Sequence, residues 1–172
     1  MSPTLKDCID PWKAAGSRQL VKGDLALELF SRLKEILLDD SSSVHAELEF
    51  EFNDAKLPQV TGHLTGRLTI QCQRCLESME LPVDRKIELA FVHLGTTDQD
   101  LFEIYDIHEV EDKSVCLVDV LEDELLLLIP QVPMHSDPEC LIETEFGEIE
   151  TEQPEERENP FAVLASLKKT DS

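Results

Sequence analysis

The sequence predicts an α+β fold: a mainly antiparallel β-sheet connected as a meander, with packing helices and an acidic, partly flexible C-terminal segment. Three observations carry that expectation. Three consecutive stretches alternate apolar and polar residues with the period of two that a half-buried strand requires. Helical periodicity occurs only before and after them, and residues 143–158 hold few large apolar side chains. A chain of 172 residues, 41% of them hydrophobic, is sized for one domain with its own core. The expected organisation is a single α+β domain over residues 1–142, then an acidic segment over 143–172 that ends in a short amphipathic helix.

At the front, Asp10-Pro11 places an N-cap before a proline at the first helical position, and Gly16 keeps that helix short. Asp24 is expected to cap a second helix reaching about Leu38. In it Leu25, Leu29, Leu33, Ile36 and Leu37 form one apolar stripe, and the DDSSS run after Leu38 ends it. The three strands follow. Val44, Ala46, Leu48, Phe50 and Phe52 alternate with polar residues; so do Val60, Gly62, Leu64, Gly66, Leu68 and Ile70. Gly62 and Gly66 mark a bend or a close backbone approach. The third alternation, Leu81, Val83, Arg85, Ile87, Leu89 and Phe91, has Arg85 as its one break. Phe102 to Ile107 is a weaker strand candidate at an edge. Val118 to Ile129 reads as a helix stopped by Pro130 and Pro133, with acidic residues near its N-terminal end and Glu122 and Asp123 on a solvated face. Asn159-Pro160 opens the last helix, with Phe161, Leu164 and Leu167 on one side and Lys168 and Lys169 near its end.

Charge is unevenly distributed. The chain carries a formal net charge of −22. Between Asp98 and Glu158, 21 acidic residues face two basic ones, a net of −19 that leaves −3 for the rest. Such a protein repels a phosphate backbone and the anionic leaflet of a membrane, and attracts basic partners. Glu143 to Glu158 is either a solvated segment or a docking strip for a basic partner. The longest apolar run, Leu125 to Ile129, is far below the roughly 20 residues of a spanning helix. The N-terminal residues lack the layout of a signal peptide. With five cysteines and no sign of export, a reducing cytoplasm is expected.

The sharpest local signal is Cys72-Gln73-Arg74-Cys75, in the connection between the second and third strands. A two-residue gap in a tight turn lets two thiolates converge on one metal, half of a tetrahedral zinc site. His135 and Cys140, just after the proline-stopped helix, are the candidate second half, so Zn2+ is the candidate cofactor. Two reduced thiols in a turn and an unrelated Cys140 have the same sequence appearance. A redox CxxC is a third reading, but that motif opens a helix within a βαβ unit, whereas this one joins two strands. Cys8 and Cys116 have no spaced partner and are expected as free or core thiols. Phosphate loops, dinucleotide fingerprints, zinc-protease and nucleophile-elbow motifs are all missing from the sequence, so no catalytic residue is assigned and the chain is expected not to be an enzyme.

CQRCLESMELP, LEDELLLLIPQVPMHSDPEC and NPFAVLASLKK occur in this order and together resemble the YceD (DUF177) family of large ribosomal RNA subunit accumulation proteins. The resemblance spans Asp10 to Lys169. It implies a cytoplasmic, non-enzymatic role in synthesis, processing or stability of 23S ribosomal RNA, and so in large-subunit biogenesis. Other branches of that family carry a more cysteine-rich second half, where this chain offers only His135 and Cys140. The expected partners are a large-subunit precursor, a basic ribosomal protein and 23S rRNA, with no membrane and no small-molecule substrate. Direct RNA binding is the alternative: Arg67, Arg74, Arg85 and Lys86 all lie in or beside the hairpin and form a candidate basic patch on a zinc-knuckle-like module.

Overall fold

The computed structural model describes residues 4–136 and Cys140. The acidic stretch 143–158 and the expected helix from Phe161 lie outside the described residues. The described part is α+β, a mixed and mostly antiparallel sheet with helices. In chain order the elements are β1 (Cys8–Ile9), α1 (Pro11–Gly16), β2 (Leu20–Ala26), β3 (Leu37–Asp39), β4 (Ser43–Phe52), β5 (Pro58–Gln71), β6 (Ser78–His93), α2 (Gln99–Ile104), β7 (Ile107–Val110), β8 (Val115–Cys116) and α3 (Leu117–Leu128). Two 3-10 turns, Leu27–Leu29 and Leu33–Glu35, lie between β2 and β3.

The main sheet runs β2-β4-β5-β6-β7, and β3 pairs with β5 beyond the reach of β4. All of its pairings are antiparallel except β6 with β7. The three alternating stretches become β4, β5 and β6, because each sends its apolar set to one side. Val44, Ala46, Leu48, Phe50, Val60, Leu64, Leu68, Val83, Ile87 and Phe91 are all buried. Burying each large side chain contributes about 1.5–3 kcal/mol. Leu117, Val120, Leu121 and Leu125 of α3 join the same core. The opposite face carries His45, Glu47, Glu49, His63, Arg67, Asp84 and Lys86 and stays open to water, as antiparallel sheets allow. Gly62 is the close approach its sequence position suggested: a Cβ there would sit 2.1 Å from the Glu47 carbonyl oxygen.

Four expectations need correction. The helix from Asp24 to Leu38 does not form. Residues 20–26 are instead the edge strand β2, whose backbone bonds are supplied by β4, and Asp24 accepts from His45 Nδ1 at 2.8 Å rather than capping a helix. The leucine stripe divides among a strand, two tight turns and β3, with Leu25 and Leu33 buried while Leu29 and Ile36 are exposed. Phe102 to Ile104 is helical, and the strand starts only at Ile107. A parallel β6–β7 pair requires a crossover, and α2 lies within it.

Glu122 is not on a solvated face: it is 2% exposed. Its Oε1 accepts from the N–H groups of Arg32 at 2.6 Å and Leu33 at 3.0 Å, and its Oε2 from Arg32 Nε at 3.0 Å. Burial opposes the charge, but the Leu33 and Arg32 N–H groups and the guanidinium outweigh it, so the carboxyl sits below the ordinary glutamate range. Finally, Cys8 and Cys116 are not free thiols. They face each other in the antiparallel β1–β8 pair and form a disulfide across 108 residues of sequence.

Candidate metal centre

The hairpin of β5 and β6 closes its ladder at Gln71 opposite Ser78, so residues 72–77 form its tip. Cys72 N–H donates to the Glu77 carbonyl at 2.9 Å, and Leu76 N–H donates to the Cys72 carbonyl at 2.9 Å. Leu76 takes a left-handed conformation, φ 65°, to make that turn. The result is a tight knuckle that points Cys72 and Cys75 to one side. α3 ends at Leu128, and the Pro130–Pro133 stretch sends the chain back over this tip. Gln73 N–H donates to the Pro133 carbonyl at 2.8 Å, clamping the returning segment to the knuckle.

That clamp brings Cys72, Cys75, His135 and Cys140 together, with their four donor atoms within 4.8 Å of one another. Cys72 Sγ lies 4.0 Å from Cys140 Sγ, and Cys75 Sγ lies 3.3 Å from His135 Nδ1. Tetrahedral zinc with Zn–S near 2.3 Å and Zn–N near 2.0 Å separates two sulfurs by about 3.8 Å and sulfur from nitrogen by about 3.5 Å. The donor set and its spacing fit such an ion. His135 Nε2 lies 3.1 Å from the Ser78 carbonyl oxygen, the outer-shell bond that orients a ligating imidazole. Arg74 Nε donates to Cys140 Sγ at 3.0 Å, and its Nη2 donates to the His135 carbonyl at 3.2 Å.

The electrostatics suit thiolate ligands. Burial raises the Cys72 thiol, but the N–H groups of Cys75, His135 and Arg74 and the Cys75 thiol overcome it and bring Cys72 to about 5. The Glu77 N–H lowers the Cys75 thiol, but burial and the sulfurs of Cys72 and Cys140 prevail and raise it. A thiolate at Cys72 resists a second negative sulfur beside it, and a divalent cation removes that conflict.

The four residues of the alternative basic patch do not share a surface. Arg67 and Lys86 are on the open face of the sheet, bonded to Glu80 at 3.0 Å and Glu88 at 2.8 Å. Arg85 is on the core-facing side, where its Nε meets Glu124 of α3 at 2.9 Å. This explains the break in the β6 alternation: the helix supplies a mostly buried partner for the one charge on that side. Arg74 is occupied at the knuckle. Sequence reasoning missed Ser78 and Gln73, which act through backbone groups and leave no residue-type signal.

No helix among the described residues is long and apolar enough to cross a membrane. No solved structure matches the chain. A relative from Haemophilus influenzae, named Large ribosomal RNA subunit accumulation protein YceD, is 34% identical over 168 residues, covering 93% of this chain and 94% of its own length. Residues 60–168, which begin in β5 and include all four candidate ligands, match the family described as Large ribosomal RNA subunit accumulation protein YceD. Full-length similarity and the family match together place the chain in the YceD family.

Proposed function

We propose that this protein is a non-enzymatic ribosome-biogenesis factor of the cytoplasm. It supports synthesis, processing or stability of 23S ribosomal RNA during large-subunit assembly, and it acts by engaging a basic ribosomal protein. The name of the Haemophilus relative motivates the rRNA connection. The observation that favours a protein over RNA as the direct contact is the internal pairing of the hairpin cations. Arg85 cannot turn outward without leaving Glu124 charged and mostly buried, and Arg74 cannot leave without losing Cys140 and His135. With a net charge of −22, the few remaining cations make a weak phosphate-binding surface.

The metal centre holds Zn2+ in this reading, with three cysteines and one histidine as a closed set of four ligands. A closed set leaves no position for a metal-bound water, which supports a structural rather than a catalytic ion. Its role is to fasten the segment after α3 to the tip of the β5–β6 hairpin.

Purification at low salt, with metal analysis and identification of co-eluting protein and RNA, tests the proposal. The expected result is a basic large-subunit protein that stays bound after nuclease treatment and leaves as salt is raised. Joint substitution of Arg67 and Lys86, the two cations on the open face of the sheet, is expected to leave that complex in place. Loss of rRNA association in a variant that still folds would favour the RNA-binding reading instead. If deleting residues 143–158 leaves protein binding unchanged, the acidic segment is not the docking strip.

A further inference from the structure

Gln59 stands in the wrong phase of its strand to be buried. In β5 it has the parity of Thr61, His63 and Arg67, the open-face set, yet it is 8% exposed. Ala90, opposite it in β6, is 1% exposed. Both line a pocket of about 230 Å³, whose other wall is the end of α2 and the residues after it, with Phe102, Glu103, Tyr105 and Asp106. That volume is below the roughly 300–1,000 Å³ of pockets for drug-sized ligands and suits one long side chain. The pocket sits at the opposite end of the β5–β6 ladder from the hairpin tip and its metal centre.

The side-chain amide of Gln59 is half used. Its Nε2 donates to Glu88 Oε1 at 3.3 Å, and a carboxylate can only accept, so the amide oxygen is the end turned away from Glu88. That oxygen has no hydrogen-bond partner among the described residues. Burying an amide costs free energy unless its polar atoms are bonded, so a donor entering the pocket is favoured. Glu88 supplies no free charge, since its Oε2 already holds Lys86 Nζ at 2.8 Å. Glu103 and Asp106 do supply it: both are exposed, and neither side chain has an ion pair or hydrogen bond among the described residues. Glu51, opposite Gln59 in β4, is a further exposed acid without an ion pair there. No Lys, Arg or His lines the pocket. α2 buries none of its residues and leaves Phe102 45% exposed at the rim. An accessible ring beside unpaired carboxylates favours a cation against its face.

We propose that this pocket is a socket for a guanidinium, the arginine side chain of a basic protein. Its N–H groups donate to the Gln59 oxygen and to the carboxylates of Glu103 and Asp106, and its flat face lies against the ring of Phe102. A guanidinium carries five N–H donors in one plane, enough for all three acceptors, and is more weakly hydrated than an ammonium. Lysine brings a compact, strongly hydrated charge with no flat face to stack. The socket is one contact for the basic partner of the proposed function, and it rests on that reading.

The test is titration of the isotopically labelled full chain with N-acetyl-L-arginine amide at low salt, followed by NMR. Saturable shifts are expected at the Gln59 side-chain amide and at the backbone amides of Tyr105 and Asp106. The equivalent lysine compound binds about tenfold more weakly, and the citrulline compound, a neutral isostere, gives no saturable shift. Glu103→Gln with Asp106→Asn weakens arginine binding about tenfold through charge alone, and Gln59→Leu does so about tenfold by removing the buried acceptor. Both acids are exposed, so the first variant keeps the fold even if the second does not. Shifts centred elsewhere, equal binding of the citrulline compound, or wild-type affinity in the E103Q, D106N chain would overturn the socket. If the arginine compound binds here but no basic ribosomal protein co-purifies, the pocket takes a free guanidinium and the proposed function falls. If such a protein binds the wild type and the E103Q, D106N chain equally, the proposed function stands and the socket is not its contact.

Discussion

His135 Nε2 lies 3.1 Å from the Ser78 carbonyl oxygen, and a carbonyl can only accept. The imidazole proton is therefore on Nε2, and the Nδ1 lone pair faces the thiols, 3.3 Å from Cys75 Sγ. One bond from a strand terminus thus sets which ring nitrogen faces the thiols in a residue 57 positions away in sequence. The purified protein is expected to hold one zinc per chain. His135→Ala and Cys140→Ser each weaken the site about 100-fold or more in chelator competition, followed by the thiolate bands of the cobalt-substituted protein. Wild-type affinity in both variants would mean that the cluster is only a group of neighbouring thiols.

Glu122 anchors the turn after Phe30, and its carboxyl sits below the ordinary range in the folded state. Its contribution is therefore present above the unfolded glutamate value of about 4.3 and is lost as pH falls through the lower folded value. Glu122→Gln is expected to cost about 2–3 kcal/mol at pH 7, because the charge-assisted bonds to Arg32 and two backbone N–H groups weaken. Denaturant midpoints at pH 7 and pH 3 check this: the gap between wild type and variant should narrow in acid. A gap independent of pH would assign the effect to packing alone.

The Cys8–Cys116 bond joins the N-terminal strand to the start of α3. A cross-link closing so long a loop stabilises by about 2–4 kcal/mol. Reduction of the protein, or Cys8→Ser, is expected to lower the denaturant midpoint accordingly. The segment 4–9, which contributes Leu5 and Ile9 to the core, should gain exchange first. Mass spectrometry after alkylation reports whether the pair is oxidised or reduced in cells.

Leu76 is exposed yet left-handed, at φ 65°, so its side chain gains little from packing while its backbone is strained by about 1–2 kcal/mol. Leu76→Gly removes that strain and costs about 0.5–1 kcal/mol of added chain entropy. A net rise of about 0.5 kcal/mol in stability is expected, with zinc affinity unchanged or slightly higher. A fall in both would show that the leucine side chain supports the knuckle.

Much of this molecule was legible before any coordinates. The alternations of residues 44–52, 60–70 and 81–91 became β4, β5 and β6, the run from Val118 became α3, and Cys72, Cys75, His135 and Cys140, grouped by residue type and spacing, lie within 4.8 Å of one another at their donor atoms. The failures share a cause. The leucine spacing after Asp24 satisfies a helical stripe, but that segment has a strand partner in β4 and a carboxylate in Glu122 to satisfy its turn, and neither is local in sequence. Cys8 and Cys116 carry no spacing because the sheet, not a motif, sets them opposite each other. Arg67 and Arg85 look like one patch in a linear reading, yet their positions on β5 and β6 put them on opposite faces of the sheet.

Local patterning settled β4, β5, β6 and α3, since period-two and period-3.6 burial are properties of neighbouring residues. It also picked out the cysteines and histidine of the candidate metal centre and the acidic character of the chain. Only the tertiary structure decided that α3 returns its following segment to the hairpin tip, that Glu122 is an internal anchor, and that most of one side of β6 lacks a partner among the described residues. Each of these depends on which distant backbone groups find one another, and hydrogen-bond satisfaction across long sequence separations leaves no periodic trace in a single chain.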